Sequence, residues 1–73
     1  MDTVTFRFYE ELNDFLPPER RKVEFDVRLP RAATVKHVVE ALGVPHTEVE
    51  VILVNGESVG FDRALREGDR VAV

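Results

Sequence analysis

Between Thr34 and Gly43 the apolar residues fall at Val35, Val38, Val39 and Leu42. This i, i+3, i+4, i+7 spacing marks one face of a helix. The Thr34 hydroxyl can accept from a free N–H of the first turn. Gly43 can take the left-handed conformation that closes a helix, and Pro45 bars its continuation. Three of the four apolar positions are valine, a mediocre helix former. The helix therefore has to be held by what it packs on.

The rest of the chain reads as strand and turn. Thr3 to Tyr9 alternates, with Val4, Phe6 and Phe8 on one side and Thr3, Thr5, Arg7 and Tyr9 on the other, as in a half-buried strand. Leu12, Phe15 and Leu16 have helical spacing over one or two turns, which Pro17-Pro18 ends. Lys22 to Leu29 alternates again, with Val23, Phe25, Val27 and Leu29 inward, and forms a hairpin with the first strand. Glu48 to Val54 is strand-like, but apolar on both faces: Val49, Val51 and Leu53 share one, Ile52 and Val54 the other. Asn55-Gly56 predicts a tight hairpin into Glu57-Ser58-Val59. Leu65 is a core candidate, Glu67-Gly68-Asp69 a turn, and Arg70 to Val73 a last strand with Val71 and Val73 on one side. The order strand, strand, helix, strand, short strand, strand gives an α+β layer. Its first and last strands run parallel at the centre of a mixed four- to five-stranded sheet, with the one main helix packed across one face. That is the β-grasp, ubiquitin-like arrangement, here one domain spanning 1–73.

Composition narrows the chemistry. No cysteine is present. Disulfides and thiolate nucleophiles are excluded, and the chain fits a reducing cytoplasm. No apolar run approaches the ~20 residues of a membrane span. The net charge of −4 disfavours free-standing nucleic-acid binding, which draws most of its affinity from Lys and Arg on phosphates. His37 and His46, the only histidines, make a weak zinc site without cysteine. His37 reads as a surface residue whose one near partner is Glu40. Ser58, the only serine, has no histidine beside it in sequence and reads as structural. The acidic residues read as solvated strand faces. No catalytic, metal or cofactor set emerges. The basic residues are more informative: Arg20, Arg21 and Lys22 cluster in one turn, read as solvated with an anionic-partner patch as the alternative.

Two runs resemble a known family. Leu65-Arg-Glu-Gly-Asp-Arg-Val71 is similar to the L-x-[DE]-G-D-x-V ending of β-grasp domains of the molybdopterin and thiamine sulfur-carrier type, and of TGS domains. With Phe6-Arg-Phe-Tyr-Glu-Glu-Leu-Asn-Asp-Phe-Leu-Pro-Pro18, Gly43-Val-Pro-His46 and Val51-Ile-Leu-Val-Asn-Gly-Glu57, the chain most resembles the ubiquitin-like domain placed before the PIN-like RNase domain of bacterial Mut-seven C-terminal proteins. The resemblance implies a non-catalytic interaction module, accessory to an RNase-type domain, with a protein partner and weak or indirect RNA contact. Sulfur carriers end in a flexible Gly-Gly, whereas this sequence ends Val71-Ala-Val73. Carrier chemistry is therefore not carried over, and a domain excised from a longer chain is expected. A sulfur-carrier homologue lacking its tail and a TGS-like RNA-contact module are the alternatives.

The resemblance also orients the strand 48–54. Aligned through Asn55-Gly56, Ile52 and Val54 face the helix. Val51 and Leu53 then lie on the open sheet face beside Arg7 or Arg70, an apolar patch rimmed by charge that suits a protein contact. Glu48 and Glu50 share the inward parity, so this orientation requires the strand to begin only after Glu50. Otherwise the two faces are reversed.

Overall fold

The computed structural model describes residues 1–73. In chain order its elements are β1 (Asp2–Arg7), β2 (Phe25–Leu29), α1 (Val35–Ala41), β3 (Leu53–Val54), β4 (Glu57–Ser58) and β5 (Arg70–Ala72). Short 3-10 turns lie at Glu10–Phe15, Pro18–Arg20 and His46–Glu48. The sheet order is β2-β1-β5-β3-β4. β1 pairs antiparallel with β2, setting Val4 opposite Val27 and Phe6 opposite Phe25. It pairs in parallel with β5 on its other edge, Phe6 opposite Val71. This is the β-grasp topology read from the sequence.

The period-two pattern is realised: Val4 and Phe6 of β1, and Phe8 just past its end, are buried. Phe6 and Phe8 stack on each other at a ring-centroid distance of 5.8 Å and on Phe25 of β2 at 6.5 and 6.2 Å. Val35, Val38 and Val39 of α1 close over this layer, and fourteen apolar side chains form one buried cluster. Each contributes roughly 1.5–3 kcal/mol of burial, which a domain this small needs against the entropy of ordering its backbone.

Both ends of α1 are fixed. The Thr34 hydroxyl accepts from the His37 N–H at 3.3 Å. The Val35 and Lys36 N–H groups, without partners inside the helix, donate to the carbonyls of Arg63 and Phe61, each at 3.0 Å. The segment after the helix thus loops back and caps it. Gly43 has φ +96°, and a β-carbon there would lie 3.3 Å from the Phe15 carbonyl oxygen. Both conditions favour glycine.

Two expectations are corrected. Val23 is not an inward strand residue but is 44% exposed. The chain turns at Lys22, whose φ is +60° and whose N–H donates to the Asn13 side chain, so β2 begins only at Phe25. The strand 48–54 shrinks to Leu53–Val54. Its partner β5 has only three residues, and His46–Glu48 is a turn rather than extended chain. The strand does begin after Glu50. Ile52 and Val54 are accordingly buried, while Val51 is 57% exposed. Val49, grouped by parity with the outward residues, packs against the core instead, because the turn before it resets the alternation.

Candidate functional site

The residues picked for a partner surface fall in two adjoining places. Arg7, Leu53 and Arg70 line a shallow groove of about 270 Å³ on the open sheet face. Val51 lies in a second, larger groove of about 610 Å³, and Tyr9 borders both. The strands explain the first grouping. Thr5 is opposite Arg70 and Arg7 opposite Ala72 across β1 and β5, and Leu53 is opposite Ala72 across β3 and β5. Outward side chains of three strands therefore share one strip. Arg7 lays its guanidinium over the Tyr9 ring, 5.3 Å from the centroid, and its buried Nε has no hydrogen-bond acceptor. Arg70 pairs with Glu24. Leu53 is half-buried, across Ala72 from Arg7. The arginine stems thus cover part of the strip, leaving a mixed apolar and basic surface.

The basic turn is partly committed to the fold. Arg20 stacks on Phe25 at 4.9 Å, and the Arg21 Nε donates to the Leu16 carbonyl at 2.8 Å. Lys22 is exposed. The three residues share one turn, but two of them already have protein partners.

Sequence reasoning missed two buried polar residues. Asn13 is 4% exposed. Its amide donates to the carbonyls of Phe8 (3.1 Å) and Glu10 (3.0 Å), and its oxygen accepts from the Lys22 N–H at 2.7 Å. Asp69 is 7% exposed. It accepts from the Asn55 amide and from the Arg66 N–H, both at 2.9 Å. Asn55 in turn accepts from the Arg70 N–H at 2.9 Å. The Asn55-Gly56 hairpin turn and the Gly68-Asp69 turn are therefore one clasp. Their joint presence in the sequence was the signal that could have shown it.

Glu40 does not pair with His37. It pairs with His46, which the Gly43-Val-Pro turn brings back beside the helix, and whose ring meets Phe61 edge-on at 5.6 Å. The hydrogen bond from His46 holds the Glu40 carboxyl below the usual glutamate range. The charged form is thus favoured in the folded state, so the stabilisation is complete above the ordinary glutamate pKa and is lost as pH falls through the lowered one. Glu40→Gln should flatten the acid limb of the thermal-stability profile in that window and leave neutral-pH folding intact. An unchanged acid limb in the variant would show that the pair contributes nothing. No three His, Asp or Glu side chains group as a metal site, and no helix is long and apolar enough to cross a membrane.

The strip lies on a ubiquitin-like sheet, and comparison with known proteins agrees. The family model described as Mut7-C ubiquitin matches residues 1–73; the chain belongs to this family. No curated protein matches it in sequence. Among solved structures, it resembles a protein assigned as molybdopterin converting factor, subunit 1, from Pyrococcus furiosus. The TM-score is 0.70 at 22% identity, covering 99% of this chain and 94% of that one. It also resembles small archaeal modifier protein 1 of Haloferax volcanii, with TM-score 0.72 at 18% identity and coverage of 99% and 94%. At these identities the likeness is one of fold.

Proposed function

We propose that this ubiquitin-like domain is a non-catalytic protein-contact module, and that in its family it serves as an accessory to an RNase-type domain. The observation that carries the reading is the outward strip of Arg7, Leu53 and Arg70, with Val51 beyond it. It sets an aliphatic centre among charges on the sheet face opposite the helix, the composition of a protein interface rather than of a reaction site. The family match over the full 73 residues supports the ubiquitin-like reading, and the RNase-type partner is what the resemblance to Mut-seven C-terminal proteins implies. The fold shared with a molybdopterin converting factor subunit keeps a second reading, a sulfur-carrier homologue. That reading requires a Gly-Gly tail beyond Val73, which is itself held in the ladder by hydrogen bonds with Arg7 and Tyr9. The reading frame past Val73 decides between the two. The third reading, a TGS-like RNA contact, would rest on Arg20, Arg21 and Lys22.

Calorimetric titration against the RNase-type region of a Mut-seven C-terminal protein tests the proposal. The expected result is saturable binding that Leu53→Arg weakens by about tenfold or more without loss of the folded circular-dichroism spectrum. Short single-stranded RNA at ~150 mM salt is expected to bind no more tightly than about 10⁻⁶ M. No heat with the RNase-type region, or sub-micromolar RNA binding lost on reversing Arg20 and Arg21, would overturn the protein-contact reading.

A further inference from the structure

The larger groove, about 610 Å³, is not the predicted strip. Its apolar lining includes Tyr9, Phe15 and Val51, three of the five large hydrophobic residues that the fold leaves exposed. Their grouping is not accidental clutter of a surface where such residues ordinarily scatter singly. The 3-10 turn Glu10–Phe15 swings Phe15 outward while Leu16 goes into the core. The turn at His46–Glu48 delivers Val51 to the opposite wall. Each wall also carries carboxylates: Glu10, Glu11 and Asp14 on one, Glu48 and Glu50 on the other. Neither Lys nor Arg lines it. The domain's net charge is only −4, so five carboxylates facing one groove concentrate its acidity there. Such a groove focuses negative potential on an apolar floor.

We infer that this groove is a docking site for an extended basic segment of a protein partner, one that alternates Arg or Lys with large apolar side chains. The apolar residues would fill the space between Tyr9, Phe15 and Val51, and the cations would meet the carboxylates of the two walls. The alternation follows from the walls themselves, which place acid on both sides of an apolar floor. An RNA strand is repelled by the same carboxylates. The inference rests on the protein-contact reading but assigns an adjoining surface, which meets the strip at Tyr9, and a specific partner chemistry.

The probe is a fluorescein-labelled peptide alternating Arg with Leu, measured by anisotropy. Wild-type protein is expected to bind it, with affinity falling as salt rises. Reversing one exposed carboxylate on each wall, Glu11→Lys with Glu50→Lys, should weaken binding by at least about tenfold. Phe15→Ser should weaken it at unchanged charge. A peptide alternating Glu with Leu should not bind. Circular dichroism and thermal unfolding establish that each variant is folded. Equal affinity in wild type and charge-reversed protein, binding of the acidic peptide, or no binding of the basic one would overturn the inference. The two proposals separate cleanly. If the RNase-type region binds but the basic peptide does not, the groove is wrong and the contact module stands. If the peptide binds with the stated dependence and the RNase-type region does not, the groove stands and the proposed partner is wrong.

Discussion

Ile52→Lys is expected to unfold the domain at room temperature, and Val51→Lys, one residue away, to leave it folded. Ile52 is 4% exposed and Val51 57%. Truncating a buried isoleucine alone costs about 2–5 kcal/mol. Placing an unpaired ammonium in that space adds a desolvation penalty of several kcal/mol more. A small domain holds only about 5–15 kcal/mol in total, so little native protein survives. At Val51 the new cation points into a groove lined by Glu48 and Glu50, where a surface change costs no more than about 0.5 kcal/mol. Far-ultraviolet circular dichroism with a denaturant titration reads both. If Val51→Lys unfolds and Ile52→Lys does not, the strand's faces are reversed and the proposed contact surface is core.

Asp69→Ala should have the second largest effect, a loss of about 3 kcal/mol. The carboxylate holds the Asn55 amide and the Arg66 N–H, and lies 3.7 Å from the Arg63 guanidinium. Hydrogen bonds to a charged group are worth about 1.5–3 kcal/mol each, and solvent at the arginine side reduces the ion-pair share. For a domain of this size that lowers Tm by about 12–24 °C. Because Asn55 also receives the Arg70 N–H, Asn55→Ala should cost less in the Asp69→Ala background than in wild type. Strictly additive losses would show that the two turns are not one clasp.

What the sequence made legible has a common physical cause. Val4, Phe6 and Phe8 sit on a period-two pattern, Val35, Val38 and Val39 on a 3.6-residue one, and Thr34, Gly43 and Asn55-Gly56 are chosen by local backbone geometry. Each can be read within a few residues. Val23 marks a limit of such reading. Alternation continues past the end of a strand, because it says nothing about where a ladder finds its partner. Asn13 and Asp69 mark another: polarity places them outside, and only the turns that deliver backbone N–H and C=O groups make their burial favourable. The exchange of Glu40's partner from His37 to His46 depends on the path of the Gly43-Val-Pro turn. The grouping of Tyr9, Phe15 and Val51 is likewise tertiary, joining residues far apart in sequence. Parity alone left the two faces of the strand 48–54 interchangeable, and only the resemblance through Asn55-Gly56 set Leu53 on the same side as Arg7 and Arg70. Val51 was placed outward correctly, yet it borders the neighbouring acidic groove rather than the basic strip.

The central claim is that the domain's outward sheet surface, rather than its helix, meets a protein partner. Amide chemical-shift mapping of the isotope-labelled domain, titrated with the RNase-type region, tests this most directly. The account predicts that the largest shifts fall on Arg7, Leu53 and Arg70, extending through Tyr9 to Val51. Shifts confined to the exposed side of α1, at Lys36, His37 and Glu40, with the strand amides unmoved, would contradict it.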